Sequence, residues 1–180
     1  RVFTSESFAT TNSTDSAVGV LIENLHKHNL RLETLVAGNT LDFGGFVWRV
    51  LHPKTGYHSR IVNDGSLVFQ IAPKQNSYVA FQSDSNTSWL TLCGDSQTEA
   101  IANVLTSADF TPSMVMELPH HGAWSDGVSE LITNVDSCTL IQSTGFRRFS
   151  FDRIQSLVQN RARGVTCRDG ALRVTWFEHK

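Results

Sequence analysis

Two short loops in the sequence combine residue types that can do chemistry. Asp95 follows Gly94 directly after the strand-like run WLTLCG, and His120 and His121 follow the strand-like run MVMELP. If these strands are neighbours in one sheet, their ends bring the carboxylate close to the imidazole pair. Carboxylate and imidazole together suit Zn²⁺ or Mn²⁺, which polarise a phosphoryl or carbonyl oxygen and lower the pKa of bound water.

Each loop also has a simpler interpretation. An Asp just before a helix is usually an N-cap, and without the histidine pair this interpretation of Asp95 would be preferred. Two adjacent histidines are often a surface coincidence. Of the other histidines, His52, which precedes Pro53, is typical of a strand end.

Apolar periodicity and turn residues predict strands in a run followed by alternating strands and helices, which indicates a mixed α/β layered fold. Ser96 and Glu99 have the spacing of a capping box at the start of a helix. We predict a coil at 1–16 and helices at 17–29, 96–105, 128–135 and 151–162. The predicted strands are 34–37, a short strand before Gly44, 46–51, 66–72, 77–83, 89–94, 114–118 and 138–143. A hairpin of 165–167 with 171–177 is predicted to close the chain.

Composition narrows the class of protein. The chain has 180 residues, 40% hydrophobic and 18% charged, with a formal net charge of −2. This excludes collagen-like, low-complexity and disulfide-scaffold proteins, and three scattered cysteines give no disulfide framework. No apolar run approaches the roughly 18 residues of a membrane span, so we expect a soluble chain, with the cytoplasm as the favoured location. Residues 147–180 hold eight Arg or Lys against three Asp or Glu, a basic end able to attract phosphates or an acidic partner, although a solvated helix face explains it as well.

The ordered motifs NDGSLVF, WLTLCGD and MVMELPHHG resemble the second half of the metallo-β-lactamase fold, and more narrowly the hydrolase domain of ComEC-type competence proteins. The upstream stretch LRLETLVAGNTLDFGGFVWRVLHP is also similar to that family, so the resemblance spans most of residues 17–178. It implies an αββα sandwich with a metal site at one edge of its two sheets. We treat residues 1–180 as a single domain, the C-terminal portion of such a sandwich.

The resemblance also implies roles for particular residues. Asp95 would bridge two metal ions, Zn or Mn, and His120 or His121 would bind one of them, with His120 preferred because it lies nearer the strand end. Asp95 and His120 are therefore the candidate catalytic residues. Asn63 and Ser66 become candidate substrate-binding residues, although an Asx-turn of Asn63 with Asp64 and Gly65 is an equally good interpretation.

Two departures from the family pattern limit these expectations. The motif H-x-H-x-D-H, which supplies most of the family's metal ligands, does not occur in this sequence. Near the C-terminus, relatives carry a His-Pro after the strand that corresponds to 139–143, whereas residues 145–151 of this chain contain no His. Arg147 and Arg148 lie in this segment, and our hypothesis is that they bind a substrate phosphate instead. We also expect that the chain, which begins at Arg1, is the C-terminal part of a larger protein whose missing N-terminal portion or a companion chain completes the site.

The expected function is therefore a metal-dependent hydrolase of phosphodiesters, with nucleic acid or another phosphodiester as the substrate. An esterase or amidase of the same fold is the nearest competing activity. The alternative is a degenerate, non-catalytic binding or regulatory module of the same fold, which the missing H-x-H-x-D-H favours. A purely structural subunit that completes a partner's sheet is the third interpretation, but it gives no reason for the His120-His121-Gly122 loop.

Overall fold

A computed structural model describes residues 1–9, 17–74, 88–151 and 153–175 as a mixed α/β protein. Two strands form a small parallel sheet and seven form a larger mixed sheet. The strands are β1 (Val2–Thr4), β2 (Leu32–Thr34), β3 (Thr40–Phe43), β4 (Phe46–His52), β5 (Val68–Pro73), β6 (Ser88–Leu92), β7 (Ser113–Glu117), β8 (Thr139–Gln142) and β9 (Arg163–Val165). The helices are α1 (Glu6–Ala9), α2 (Ala17–Lys27), α3 (Thr98–Leu105), α4 (Asp126–Asn134), α5 (Phe146–Phe149), α6 (Gln155–Val158) and α7 (Thr166–Asp169).

The larger sheet has its strands in chain order from β3 to β9. Neighbours from β3 to β6 run antiparallel, and neighbours from β6 to β9 run parallel. Parallel neighbours need a crossover, which α3, α4 and the α5–α6 region supply. As a result the carboxyl ends of β6, β7 and β8 lie at one edge of the sheet, where both chemistry-bearing loops begin.

The main core lies between this parallel half of the sheet and the helices α3, α4 and α6. Gly127 lets α3 and α4 approach closely, because a Cβ atom there would lie 2.7 Å from the Cα atom of Thr98. Burial of these apolar side chains stabilises the packed layers and fixes the strand ends. The buried members of the cluster are Cys93, Ile101, Met116, Leu118, Val128, Leu131, Ile132, Val135, Cys138, Leu140, Ile154 and Val158.

The other face of the sheet is apolar as well. Ile71 pairs with Leu90, and Leu90 pairs with Val115, so the three side chains share the face opposite to Met116. Ile71 and Val115 are buried and Leu90 is half-buried. Apolar side chains therefore cover both faces of this part of the sheet.

The start of α3 differs from its predicted capping box. The N-cap is Gln97, and the Ser96 hydroxyl instead donates to the Cys93 carbonyl at 2.7 Å. The cap comes from Asp64, whose Oδ1 accepts hydrogen bonds from the backbone N–H groups of Gln97 at 2.8 Å and Ala100 at 3.3 Å. A fully buried carboxylate from a distant turn therefore replaces the local cap.

His52 supports the same turn. It ends β4, as predicted, and its Nε2–H donates to the Asp64 carbonyl at 2.7 Å. The ring is fully buried, and burial lowers the pKa of His52. This histidine is a structural residue in its neutral form.

Three predictions for the chain ends were wrong. Part of the predicted N-terminal coil forms β1 and α1, because the backbone of β1 pairs with β2. The predicted helix at 151–162 is reduced to the single turn α6. The predicted C-terminal hairpin does not form among described residues 163–175, because Thr166–Asp169 is a helical turn whose Asp169 carboxylate accepts from the Val165 N–H. The predicted strand at 77–83 lies outside the described residues.

Most other elements were predicted to within a few residues. In the part of the chain that the structure describes, no helix is both long enough and apolar enough to cross a membrane.

The cap of α3 gives a stability prediction. Asp64→Ala removes the acceptor for one buried and one partly buried N–H group, and we expect it to lower the free energy of unfolding by about 2 kcal/mol. Urea unfolding followed by circular dichroism measures the difference. Asp136→Ala, at an exposed carboxylate, is the control. Equal losses in the two variants would show that Asp64 does not cap α3.

Candidate functional site at the carboxyl edge of the sheet

The two chemistry-bearing loops are joined by their backbones. The His120 N–H donates to the Gly94 carbonyl at 2.8 Å, which ties the loop after β7 to the loop after β6. Glu117, the last residue of β7, accepts from the N–H groups of Cys93 and Gly94 at 3.2 Å each. These bonds fix the position of Asp95 relative to the histidine pair.

Glu117 was not identified from the sequence as a site residue. The available signal was an acidic side chain in an otherwise apolar strand, MVMEL. Sequence alone does not show that the carboxylate turns toward the neighbouring strand end. Its contacts make it a positioning residue for the Asp95 loop.

The histidine pair has an unusual backbone conformation. His120 has a φ of 50° and His121 a φ of 59°, and Gly122 follows with a φ of 75°. Left-handed residues other than glycine cost roughly 1–3 kcal/mol each and cluster at functional sites. Two in succession therefore indicate that the loop geometry is held for a reason other than local stability.

Side chains from the next strand and helix hold the two carbonyl groups of this loop. Arg148 Nη1 donates to the His120 carbonyl at 3.0 Å, and Gln142 Nε2 donates to the His121 carbonyl at 3.1 Å. Gly122 is required for the second bond, because a Cβ atom there would lie 2.4 Å from Gln142 Nε2. Gln142 is almost fully buried, so the loop rests on a rigid part of the protein.

The conformation turns the His121 ring toward Asp95. His121 Nε2 lies 3.5 Å from Asp95 Oδ1, and both side chains are about half exposed. His121 Nδ1 lies 2.9 Å from the Ser143 carbonyl, which can only accept, so Nδ1 carries the proton. In the neutral ring Nε2 is then an acceptor that faces the carboxylate.

Two acceptors face each other in this arrangement, and a positive charge between them would relieve the repulsion. Either a proton on Nε2 or a bound cation supplies that charge. A histidine that donates Nδ1–H to a carbonyl and leaves Nε2 open is also the usual arrangement of a metal-binding histidine. The pair of Asp95 and His121 is thus chemically suited to a divalent ion.

His120 has a different environment. Its ring centroid lies 6.5 Å from that of His121, while its backbone N–H and carbonyl hold the loop together. Among the described ion pairs, His121 is the histidine that reaches Asp95. The preference for His120 as the ligand remains a prediction, and the contacts favour His121.

Two of the predicted substrate-binding residues share a pocket with Asp95. Asn63 and Ser66 line a pocket of about 740 Å³ together with Gly94 and Asp95. Residues Val62–Gly65 form a 3₁₀ turn, which the Ser66 N–H closes by donating to the Asn63 backbone carbonyl at 3.0 Å.

The predicted arginines lie on the other side of the histidine loop. Both belong to α5 and line a second pocket of about 560 Å³, here called the arginine pocket. Arg148 also borders His121 and Ser143 in a shallower groove. The side chains that line the arginine pocket include those of Trp124, Gln142, Arg147, Arg148, Phe151 and Arg153.

The set of possible metal donors is small. Among the described residues, no group of three or more His, Cys, Asp or Glu side chains is placed to hold one ion. Asp95 and His121 have the right chemistry for Zn²⁺ or Mn²⁺, yet structural zinc sites have four ligands and catalytic ones three from the protein. These residues fit part of a metal site and require further donors.

Comparison with known proteins does not assign a family to this chain. No protein-family model, curated protein or solved structure matches this chain.

The close contact at Gly122 can be tested. We expect Gly122→Ala to lower the free energy of unfolding by about 3 kcal/mol, because the left-handed φ and the clash with Gln142 both oppose a side chain. Gly170→Ala is the matched control, with a φ of 78° but nothing within 4 Å of the added Cβ. Chemical denaturation of both variants measures the effect. A loss no larger than that of Gly170→Ala would contradict the proposed packing of Gln142 under the loop.

Proposed function

We propose that this chain is part of a metal-dependent hydrolase that cleaves phosphodiesters. The observation that carries the proposal is the contact of His121 Nε2 with Asp95 Oδ1 at 3.5 Å, with the His121 tautomer set by the Ser143 carbonyl. Both side chains lie at the carboxyl edge of a parallel sheet region, where ligand sites of α/β proteins commonly occur.

The proposal includes a metallo-β-lactamase-like αββα fold of which this chain supplies the C-terminal half. Support comes from the spatial arrangement of the motifs that carry the resemblance. The turn of Asn63 and Ser66 lines one pocket with Asp95, and the histidine loop is bonded to Gly94. The apolar faces on both sides of the seven-stranded sheet are also compatible with packing against a second sheet.

Asp95 and His121 would hold a Zn²⁺ or Mn²⁺ ion, and His120 remains a further candidate ligand. A bound divalent ion would polarise a phosphoryl oxygen and lower the pKa of coordinated water. The remaining ligands, and a second ion if the site is complete, would come from an N-terminal portion of the same domain or from a companion chain.

The residues of this chain have separate tasks in this proposal. Arg147 and Arg148 provide guanidinium groups beside the histidine loop, which bind a phosphate and stabilise negative charge as it develops. Arg148 also holds the His120 carbonyl, so phosphate binding and loop position are linked through one side chain. Asn63 and Ser66 offer polar groups for the substrate on the opposite side of Asp95.

One observation favours a second candidate function. Since no three-donor cluster exists among the described residues, the same surface could serve a non-catalytic binding or regulatory module. Such a module would retain the arginines and lose the tight metal site.

Zinc titration and a hydrolysis assay separate the two functions. We expect Asp95→Asn and His121→Asn each to weaken zinc binding by this chain by about tenfold or more. In the protein with its remaining metal ligands present, each change should abolish zinc- or manganese-dependent hydrolysis of bis(p-nitrophenyl) phosphate. Asp136→Asn and His28→Asn change exposed residues of the same types and are the controls.

Zinc affinity that is the same in all four variants would overturn the metal site. Zinc binding that depends on Asp95 and His121, without hydrolysis by the protein that has its remaining metal ligands, would favour the regulatory module.

A further inference from the structure

The arginine pocket has more features than the binding of a substrate phosphate by Arg147 and Arg148 requires. Three arginines, Arg147, Arg148 and Arg153, line it, and no acidic side chain is among the described residues of its wall. Its volume of about 560 Å³ lies in the range of pockets that bind small ligands, roughly 300–1,000 Å³. The electrostatics therefore favour an anionic ligand of the size of one nucleotide.

Aromatic rings accompany the arginines. Trp124 lines the pocket, and the Arg153 guanidinium lies 5.2 Å from the centre of its ring. Phe151 also lines the pocket and is 80% exposed, an unusual position for a large apolar side chain. Exposed aromatic rings beside arginines are typical of surfaces on which unpaired bases stack.

A third observation concerns Gln142. This residue is only 1% exposed and lines the same pocket, and its Oε1 has no hydrogen-bond partner. Its Nε2 must face the His121 carbonyl as donor, so the amide cannot be flipped to exchange the two atoms. The wall of the pocket thus includes a polar amide whose orientation the His121 carbonyl fixes.

We propose that the arginine pocket binds one nucleotide of an unpaired nucleic acid strand. Arg147 and Arg148 contact its phosphate, and the base stacks against Trp124 or Phe151. A paired base hides its face and its hydrogen-bonding edge inside the duplex, so the pocket selects single strands or strand ends. The inference rests on the proposed function, because a strand bound in this pocket would present a phosphodiester to Asp95 and His121. Binding of the strand itself needs no metal.

The exposed Phe146 and Phe151 beside arginines also suit the surface of an anionic membrane. The concave pocket favours the nucleotide, because a flat lipid surface does not fill it. Binding to anionic vesicles is therefore measured as the alternative outcome.

The test compares strands with and without bases in the presence of EDTA, which prevents metal-dependent cleavage. Fluorescence anisotropy measures binding of the full chain to a labelled oligodeoxyadenosine strand, to an abasic strand of the same length and to a blunt duplex. We expect the base-bearing strand to bind about tenfold more tightly than the abasic strand, as one stacked base implies.

Two pairs of variants assign the contacts. Arg147→Gln should weaken binding of both single strands and reduce the slope of log K against log salt by about 0.7, whereas Arg173→Gln, an exposed arginine outside the pocket, should change the slope less. Phe151→Ser should remove the preference for the base-bearing strand. Phe43→Ser, at a residue that is 73% exposed on β3, should leave that preference unchanged.

Equal affinity for the base-bearing and abasic strands would overturn the proposal, and so would equal affinity for the duplex. The chain could instead sediment with phosphatidylserine vesicles and show no preference for strands with bases. If Phe151→Ser then abolished this sedimentation, a membrane-binding surface would replace the proposed nucleotide pocket. Asp95→Asn distinguishes the metal-dependent hydrolase from the nucleotide pocket. We expect it to weaken zinc binding and to leave binding of the single strand in EDTA unchanged. Base-dependent binding, without hydrolysis by the protein that has its remaining metal ligands, would contradict only the proposed function. Hydrolysis by that protein without base-dependent binding would contradict only this inference.

Discussion

Two consecutive histidines in the left-handed conformation would return to ordinary backbone angles if their carbonyl groups were released. Gln142 at the end of β8 and Arg148 on α5 prevent this by donating to the carbonyls of His121 and His120. The strain lies in the loop and is balanced by these contacts, one from the buried Gln142 and one from the exposed Arg148. The orientation of the His121 ring toward Asp95 depends on these two hydrogen bonds.

The same constraint connects the three strand ends of the carboxyl edge. From β6 comes the loop of Asp95, which Glu117 at the end of β7 holds through two backbone N–H groups. From β8 come Gln142 and the Ser143 carbonyl, which sets the His121 tautomer. Because parallel strands deliver these groups to one edge, a small number of side chains suffices to build both the candidate metal site and the wall of the arginine pocket.

Sequence reasoning predicted the elements whose apolar pattern is long and local. The strands β4 to β8 and the helices α2 to α4 follow from their own residues, and the adjacency of the Asp95 and histidine loops follows from the alternation of strand and helix. The short elements after Phe146 were predicted poorly, since side-chain hydrogen bonds such as that of Asp169 outweigh the periodicity there.

The site could be predicted in residue type but not in detail. Asp95 and the histidine pair are visible as motifs, whereas the φ angles that favour His121 over His120 arise from tertiary contacts. Gln142 and Glu117 look like ordinary strand residues, and their roles depend on neighbouring strands that are distant in sequence. Asp64 caps α3 from more than thirty positions away, a relation that no local pattern encodes.

The central claim is that His121 presents an open Nε2 to Asp95. Long-range ¹H–¹⁵N correlation spectra of the histidine side chains test it directly, with and without added zinc. We predict that His121 is protonated at Nδ1 in the neutral ring, and that its Nε2 resonance moves on zinc addition in the wild type but not in Asp95→Asn. A His121 protonated at Nε2, or a zinc response no different from that of the exposed His28, would contradict the account.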